Sequence, residues 1–309
     1  GRIAPDGIRS GGVIATTQMS TDALAFCRDP IFIIGSPRSG TSALARSLGE
    51  HNELWFSCEA SIFYHLFGAD RLDDIYAREI DGQKWLHAEG VSREEFLWAT
   101  GLGINALYTG RSGGNRWIEK MPANTFMADV LADMFPGASF VHILRDGRRA
   151  VNSMVNFRPP RKWGATFRTA CITWRQHVVA AMDFAAARPD RCLTVQNEGL
   201  VHDPEEGVSR IFQFLGVSYD RRPVEFFRSR QINSSFQRGS VGPLPAEFLS
   251  YPWKQWTLEQ RQTFLEEAGA MMVRCGLLTA DQLHELETDA RDPIKCIPVR
   301  PEEDGSTER

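Results

Sequence analysis

The sequence predicts an α/β fold in which a central parallel sheet of about five strands carries helices on both faces. Short apolar runs rich in β-branched residues recur along the chain, and each is followed by a segment with helical spacing. With 309 residues, of which 42% are hydrophobic, the chain can bury a full core. No shift in composition marks a second domain, so one large α/β domain is expected.

The first strand and helix enclose a turn rich in glycine and serine. Ile31–Ile34 is an apolar run, residues 35–40 turn the chain, and residues 41–48 have helical spacing. A helix N-terminus wrapped by such a loop presents unpaired N–H groups and the positive end of the helix dipole. This segment therefore predicts an anion site at the carboxyl end of the first strand.

The later elements repeat the alternation of strand and helix. Strands are predicted at 54–56, 117–119, 139–144 and 192–195, and helices at 57–67 and through most of 69–108, with a helix start near Ser92. Ligands of such sheets bind at the carboxyl ends of the strands. Four side chains that follow predicted strands are therefore expected in one cleft: Arg38, Glu59, Lys120 and Arg145.

The spacing from Gly35 to Gly40 is that of the phosphate-binding loop GxxxxGK[ST], but the lysine of that motif is missing. Thr41 stands in its place, and a cation lies inside the loop as Arg38. In the nucleoside triphosphate version, the lysine reaches the β- and γ-phosphates and the hydroxyl residue holds magnesium. The substitution favours a phosphate ester without the polyphosphate and metal of ATP chemistry. The expected fold is a P-loop-NTPase-like three-layer fold, and no metal site is expected.

Two blocks of the sequence resemble the nucleotide-binding loops of the sulfotransferases that use 3′-phosphoadenosine 5′-phosphosulfate (PAPS). Pro37–Ser42 is similar to the loop that holds the 5′-phosphosulfate. Residues 140–153 read as a strand and a helix, and their Arg145 and Ser153 resemble the Arg and Ser that hold the 3′-phosphate. Residues 119–122 and 197–200 continue the resemblance, which is greatest to the broad bacterial branch and extends to tyrosylprotein sulfotransferases.

The resemblance implies transfer of a sulfuryl group from PAPS to a hydroxyl or, as a second choice, an amine, without a metal ion. Adenosine 3′,5′-bisphosphate (PAP) is then the product, and its departing phosphate gains charge that preorganised cations and N–H groups stabilise. Arg38 and Lys120 are the implied catalytic cations. The backbone of Ser39–Ser42, which includes Gly40, and the hydroxyls of Thr41 and Ser42 are implied to hold the 5′-phosphate.

An alcohol acceptor also needs a positioned base, because its pKa lies far above neutral. Glu59 follows the predicted second strand and matches the Glu that related enzymes use. The turn after Lys120 lacks the His that phenol sulfotransferases carry there. Glu59 is therefore the predicted base, with His51 and His65 as alternatives, and its other interpretation is an acid that pairs with a helix dipole.

The contacts to the far end of the nucleotide are predicted in a later loop. The resemblance implies that Phe236 stacks on adenine and that Arg238 and Gly239 bind near the 3′-phosphate. The spacing differs from that of the phenol sulfotransferases, and Ala43 stands where those enzymes have a stacking Trp. A plain basic loop is the alternative interpretation.

Composition narrows the partners and the compartment. The net charge of −4 argues against a general nucleic-acid binder. No apolar stretch approaches the ~18 to 20 residues of a membrane span. Six cysteines without a C-x-x-C motif predict reduced core thiols and a cytoplasmic protein. The acceptor stays open among hydroxylated small molecules, lipids, carbohydrates and carrier-bound substrates.

The chain is expected to divide into an N-terminal arm or linker at 1–29, a sulfotransferase domain at 30–289 and a polar C-terminal tail at 290–309. The start at Gly1 leaves open whether the chain is part of a larger multidomain protein. Residues 157–163 contain two prolines and three cations and are predicted to form a lid over the substrate.

Two other functions are weighed against sulfuryl transfer. A P-loop small-molecule kinase needs a lysine after Gly40 and an acid that holds magnesium, and neither is evident. A catalytically silent nucleotide-binding module would lack the base and the cation, whereas Glu59 and Lys120 are both present.

Overall fold

The computed structural model describes residues 25–68, 70–229 and 252–291. In these ranges the strands form one parallel sheet in the order β2-β3-β1-β4-β5. They are β1 (Ile31–Ile34), β2 (Leu54–Trp55), β3 (Arg116–Lys120), β4 (Ser139–Leu144) and β5 (Cys192–Gln196). The predicted α/β fold with a five-stranded parallel sheet is confirmed.

Helices connect the strands and cover both faces of the sheet. They are α1 (Thr41–Leu48), α2 (Ile62–Phe67), α3 (Arg71–Asp81), α4 (Trp85–Ala88), α5 (Arg93–Ser112), α6 (Ala128–Met134), α7 (Gly147–Val155), α8 (Phe167–Ala187), α9 (Asn197–His202), α10 (Pro204–Leu215), α11 (Arg221–Ser229), α12 (Leu258–Phe264), α13 (Ala270–Arg274) and α14 (Ala280–Asp289). Short 3₁₀ segments lie at Pro122–Met127, Lys162–Gly164 and Pro252–Gln255, and a π-helical turn at Leu265–Gly269 joins α12 to α13.

Both faces of the sheet are buried, as expected for parallel strands between helices. Phe32 and Phe140 lie on one face, where their rings stack with centroids 5.3 Å apart beneath α5 and α6. Ile33 and Val141 lie on the other face and pack with α1 and α10. A third cluster joins α7 and α8 to the C-terminal helices through residues such as Trp256.

The segment after β2 departs from its prediction. Helix was expected from residue 57, but α2 begins at Ile62. Residues 57–59 are exposed and the first buried side chain is Phe63, so no apolar face favours a helix before Ile62. Glu59 therefore lies in a loop and not in the first turn of a helix. The interpretation of Glu59 as an acid that pairs with a helix dipole is wrong.

Cys27, near the end of the predicted N-terminal arm, contacts α5, because its N–H donates to Asn105 Oδ1 and to Thr109 Oγ1, both at 2.9 Å. The division of the chain between residues 29 and 30 stays a prediction. The prediction of core thiols needs one correction. The cysteines in the described ranges are free thiols, but Cys58 is exposed rather than in the core. It lies in the loop that leads to α2.

Candidate active site

The strand order lines up four predicted site residues along one edge of the sheet. Glu59, Lys120, Arg38 and Arg145 follow β2, β3, β1 and β4, which are successive neighbours. Because adjacent strands lie ~4.8 Å apart, the four groups occupy an edge about 15 Å long. The structure brings these residues together as two contacting pairs, Arg38 with Arg145 and Lys120 with Glu59. Their convergence on one cleft stays a prediction.

The loop between β1 and α1 has a backbone that only glycine adopts without strain at two positions. Gly35 has φ 144° and Gly40 has φ 101°. A Cβ on Gly35 would lie 2.6 Å from the Ile143 carbonyl oxygen, and one on Gly40 would lie 2.3 Å from Asn197 Nδ2. The loop is therefore pressed against the ends of β4 and β5, and this contact fixes its shape.

The N-terminus of α1 opens toward this loop without a side-chain cap. Gly40 is the N-cap residue, it has no side chain to accept from the first turn, and no acidic residue follows in that turn. The Ser39 hydroxyl is buried and has no hydrogen-bond partner among the residues that the structure describes. These donors form a site that lacks an acceptor, as an anion-binding loop does.

Arg38 is held in place by contacts from α7 and from β4. Its Nε donates to Ser153 Oγ at 3.0 Å, and its guanidinium carbon lies 4.9 Å from the centre of the Phe157 ring. Arg145 Nη1 donates to the Arg38 carbonyl oxygen at 2.7 Å. Burial, and then the charge of Arg145, lower the pKa of Arg38 to about 10, so Arg38 stays a cation at neutral pH.

Arg145 lies where β4 ends and α7 begins. Burial lowers the pKa of Arg145, the carboxyl of Glu198 raises it, and the charge of Arg149 lowers it further. Arg145 Nε is buried and has no hydrogen-bond partner within the described ranges. The neighbouring carboxylate, Asp146, is already bonded to Arg148, at 2.6 Å between Oδ2 and Nη2. Arg145 thus keeps a buried donor for a further acceptor.

Lys120 and Glu59 form the second contacting pair. Lys120 Nζ donates to Glu59 Oε2, and the side chains are 2% and 49% exposed. Glu119 lies beside this pair in the core, where the Tyr108 hydroxyl donates to its Oε2 at 3.1 Å. Burial raises the pKa of Glu119 to about 7, against the hydrogen bond from Tyr108 and the charge of Lys120.

The other residues predicted to bind the nucleotide lie in α7, in α1 and in a later segment of the chain. Ser153 contacts Arg38, as described above, and Thr41 and Ser42 begin α1. Phe236, Arg238 and Gly239 lie outside the described residues.

His51 as an alternative base is wrong. Its Nδ1 accepts from the Glu53 N–H at 3.1 Å and its Nε2 lies 2.8 Å from the Ser218 carbonyl oxygen, so both ring nitrogens are already bonded in the buried interior. His65 is exposed on α2 and stays an alternative.

The aromatic residues between α2 and α5 are divided between the core and the surface. Phe63 and Phe67 are buried in the core, whereas Tyr64 and Trp85 are exposed. Trp98 lines a groove with Pro136 and Arg191, which precede β4 and β5. That groove lies at the amino edge of the sheet, opposite the cleft.

Sequence reasoning missed three contacts that shape the site. Thr125 Oγ1 accepts from the Gly35 N–H at 2.9 Å and joins the turn after β3 to the loop. Asn197 contacts Gly40, and Phe157 contacts Arg38. No local pattern marks them, because each contact joins segments far apart in the chain.

The described ranges contain neither a metal-binding cluster nor a helix that could span a membrane. In residues 25–68, 70–229 and 252–291 no three side chains of His, Cys, Asp or Glu are grouped so that they could hold a metal ion. None of the helices in that part of the chain has the length and apolar character needed to cross a bilayer.

The amino-acid sequence is similar to those of known proteins. A family model described as "Sulfotransferase family" matches residues 30–221. Protein-tyrosine sulfotransferase A of Caenorhabditis elegans is 28% identical over 198 residues, which are 62% of this chain and 50% of the relative. Protein-tyrosine sulfotransferase 1 of Danio rerio is 26% identical over 194 residues, which are 62% of this chain and 54% of the relative. The chain spans about half the length of these curated relatives.

Two solved structures are also similar. The sulfotransferase domain of the Synechococcus PCC 7002 olefin synthase has a TM-score of 0.49 and 19% identity, with 78% of this chain and 96% of that chain covered. Mouse sulfotransferase SULT7A1 complexed with PAP has a TM-score of 0.48 and 15% identity, with 85% and 89% covered. The predicted bacterial branch stays a prediction, because the curated relatives named above are animal proteins. The family match spans more than half of the chain, and the chain therefore belongs to the sulfotransferase family.

Proposed function

We propose that this chain transfers a sulfuryl group from PAPS to a hydroxyl acceptor. The observation that carries the proposal is the pair of neighbouring cations, Arg38 and Arg145, whose side chains lie at the mouth of an uncapped helix. Two partly buried cations that repel each other are stabilised when an anion binds between or beside them. PAPS carries phosphate groups at both ends of its ribose and so fits two such sites.

Unsatisfied donors support the same nucleotide. The buried Ser39 hydroxyl lies in the loop proposed for the 5′-phosphate, and the buried Arg145 Nε lies in the part of the cleft proposed for the 3′-phosphate. The Ser153 hydroxyl accepts from Arg38 Nε and still has its own hydrogen to donate to a phosphate oxygen. The residues of the cleft therefore fit a bisphosphorylated nucleotide.

The chemistry assigned to the chain is electrostatic and acid–base. When bound, PAPS supplies the sulfuryl group and the phosphate that departs from it. Arg38 and Lys120 stabilise the charge that develops on that phosphate, because cations held in a partly buried cleft need no reorganisation as the charge appears. Lys120 is already held by Glu59, so it must exchange this partner for the phosphate when the nucleotide enters.

Glu59 is proposed as the general base. It is half exposed, lies in the loop after β2, and can therefore meet an acceptor that enters from solvent. Its contact with Lys120 places the base beside a catalytic cation, as transfer between a bound donor and an entering hydroxyl requires. His65 is the second candidate for this role.

The proposal also includes a class of acceptor and a cellular compartment. The curated relatives are named for tyrosine in proteins, so a phenolic hydroxyl is the first acceptor to test, followed by other hydroxylated small molecules, lipids, carbohydrates and carrier-bound substrates. The free thiols at the described cysteines support the cytoplasm as the compartment.

A ligand-dependent melting experiment tests the nucleotide. A ligand that binds only the native state stabilises it by about 2.7 kcal/mol at 100 times its dissociation constant. We expect PAP to raise the melting temperature and ATP with magnesium to leave it unchanged. The reverse result would favour the small-molecule kinase.

Labelled sulfate then tests transfer. We expect movement of the label from PAPS to a phenol or tyrosine peptide, at a rate that a chelator does not change. Nucleotide binding without transfer to any acceptor of a broad panel would instead favour a silent binding module.

A further inference from the structure

The side chain of Arg38 depends on the end of α7 for its orientation. Arg38 has a positive φ of 66° inside the loop, and its side chain has four rotatable bonds. Arg38 Nε donates to Ser153 Oγ at 3.0 Å, and the centre of the Phe157 ring lies 4.9 Å from the guanidinium carbon of Arg38. Ser153 belongs to the last turn of α7 and Phe157 to the loop that follows it, so one short segment contacts the cation in two ways.

These contacts oppose a repulsion. Arg145 lies next to Arg38, and its charge disfavours the charged form of Arg38. In the free protein this repulsion favours side-chain orientations that carry the Arg38 guanidinium away from Arg145 and from the loop. A hydrogen bond at Nε fixes the position of the guanidinium, whereas an aromatic face fixes its plane. Phe157 therefore controls the direction in which the two terminal nitrogens of Arg38 can donate.

Phe157 is itself supported from the other side of its loop. Its ring lies 5.3 Å from that of Trp163, between ring centres, at an interplanar angle of 50°. Both rings are half-buried. The segment predicted to be a lid thus begins and ends with aromatic residues, and the first of them packs on the loop cation.

We propose that Phe157 is a positioning residue that holds the Arg38 guanidinium in the orientation that binds the 5′-phosphate of the nucleotide. The inference rests on the proposed function. It adds a role for an aromatic side chain that does not itself touch the phosphate. Because the ring acts through Arg38, its contribution disappears when Arg38 is removed, and this dependence is the basis of the test.

The test compares two nucleotides by calorimetry. PAP carries the 5′-phosphate, and adenosine 3′-phosphate lacks it. For Phe157→Leu we expect PAP to bind ~3- to 10-fold more weakly, the size of a lost cation–π contact, and adenosine 3′-phosphate to bind unchanged. Phe157→Tyr keeps the aromatic face and is expected to bind PAP as the wild type does. In an Arg38→Ala background, Phe157→Leu is expected to cause no further loss.

The matched control is Phe26→Leu, the same substitution at an exposed aromatic residue before β1, at the amino edge of the sheet. It is expected to leave both affinities unchanged, and circular dichroism checks that every variant is folded. Equal weakening for both nucleotides, or a full effect of Phe157→Leu in the Arg38→Ala background, would overturn the inference. A wild-type chain that binds no PAP contradicts the proposed function and this inference with it, whereas a binding wild type with an unaffected Phe157→Leu contradicts this inference alone.

Discussion

Arg38 and Lys120 are the two cations that the proposed reaction needs, and the protein stabilises them differently. Lys120 is 2% exposed and has a carboxylate partner in Glu59. Arg38 has a hydroxyl, an aromatic face and a neighbouring cation around it. A bound phosphate would therefore relieve repulsion at Arg38 but would have to displace a partner at Lys120, so Arg38 is the better first contact for the nucleotide.

Replacing Arg38 with Ala tests its catalytic role. Loss of a preorganised group that stabilises developing charge lowers turnover by ~10² or more. We expect this fall in kcat for transfer from PAPS, measured with the best acceptor of the panel. Arg38→Lys keeps the charge without the planar fork, and its kcat is expected to lie between those of the wild type and Arg38→Ala. Near-normal turnover of Arg38→Ala would remove Arg38 from the mechanism.

Replacing Glu59 with Gln separates proton transfer from binding. The Gln amide oxygen can still accept from Lys120 Nζ, so the buried ammonium keeps a partner and the fold is expected to persist. Calorimetry should show PAP binding close to wild type, whereas labelled-sulfate transfer should fall by ~10² or more, as expected for a lost general base. Unaltered transfer would assign the base to another residue, and His65→Ala is the variant to compare.

At the scale of elements, the β1–loop–α1 unit depends on close backbone packing. Gly40 combines φ 101° with a site where a Cβ would meet Asn197 Nδ2 at 2.3 Å. A side chain at position 40 would therefore introduce backbone strain of about 1–3 kcal/mol and displace the loop. Gly113 ends α5 at φ 65° with open space around it, so a side chain there adds strain without a clash.

This difference predicts the effect of two matched substitutions. Both Gly40→Ala and Gly113→Ala are expected to lower the melting temperature because of their positive φ. Gly40→Ala should also weaken PAP binding by more than ~10-fold, because it displaces the N–H groups that we propose as donors to the 5′-phosphate. Equal PAP affinity in both variants would show that the loop shape does not matter for binding.

The helix ends were predictable from local sequence. Ser92 was expected near a helix start, and its hydroxyl accepts from the Glu95 N–H at 3.1 Å. Thr257 and Gln260 form the reciprocal bonds of a capping box at α12. The β2 to α2 segment was not predictable to the same accuracy, because five residues there have no local preference strong enough to decide between helix and loop.

At the scale of the whole molecule, buried titratable groups link stability to pH. Burial lowers the pKa of His142 and of His177 to about 4. The unfolded chain, with histidine near its usual pKa of ~6.5, then binds more protons between about pH 4 and 6.5, so stability falls as pH falls through that window. Glu119 acts in the opposite direction, because its pKa is raised to about 7 and its protonated form is favoured in the fold.

Chemical denaturation at two pH values checks this sign. For His142 alone, the loss between pH 7.5 and pH 5 is ~2 kcal/mol. We expect His142→Gln to lower stability at pH 7.5 but to reduce the further loss at pH 5 by about this amount. Glu119→Gln should make the loss on acidification larger, because it removes the opposing group. If acidification costs the same in the wild type and His142→Gln, the buried histidine does not carry the effect.

The alternation of strands and helices, the glycine-rich loop and the residue types of the site follow from the amino-acid sequence, because periodicity and turn chemistry are local. Which of these residues come into contact depends on the tertiary fold. Lys120 and Glu59 are 61 positions apart, and Arg38 and Ser153 are 115 positions apart. Their contacts follow from the strand order β2-β3-β1-β4-β5, which side-chain packing on both sheet faces selects and which no local pattern encodes.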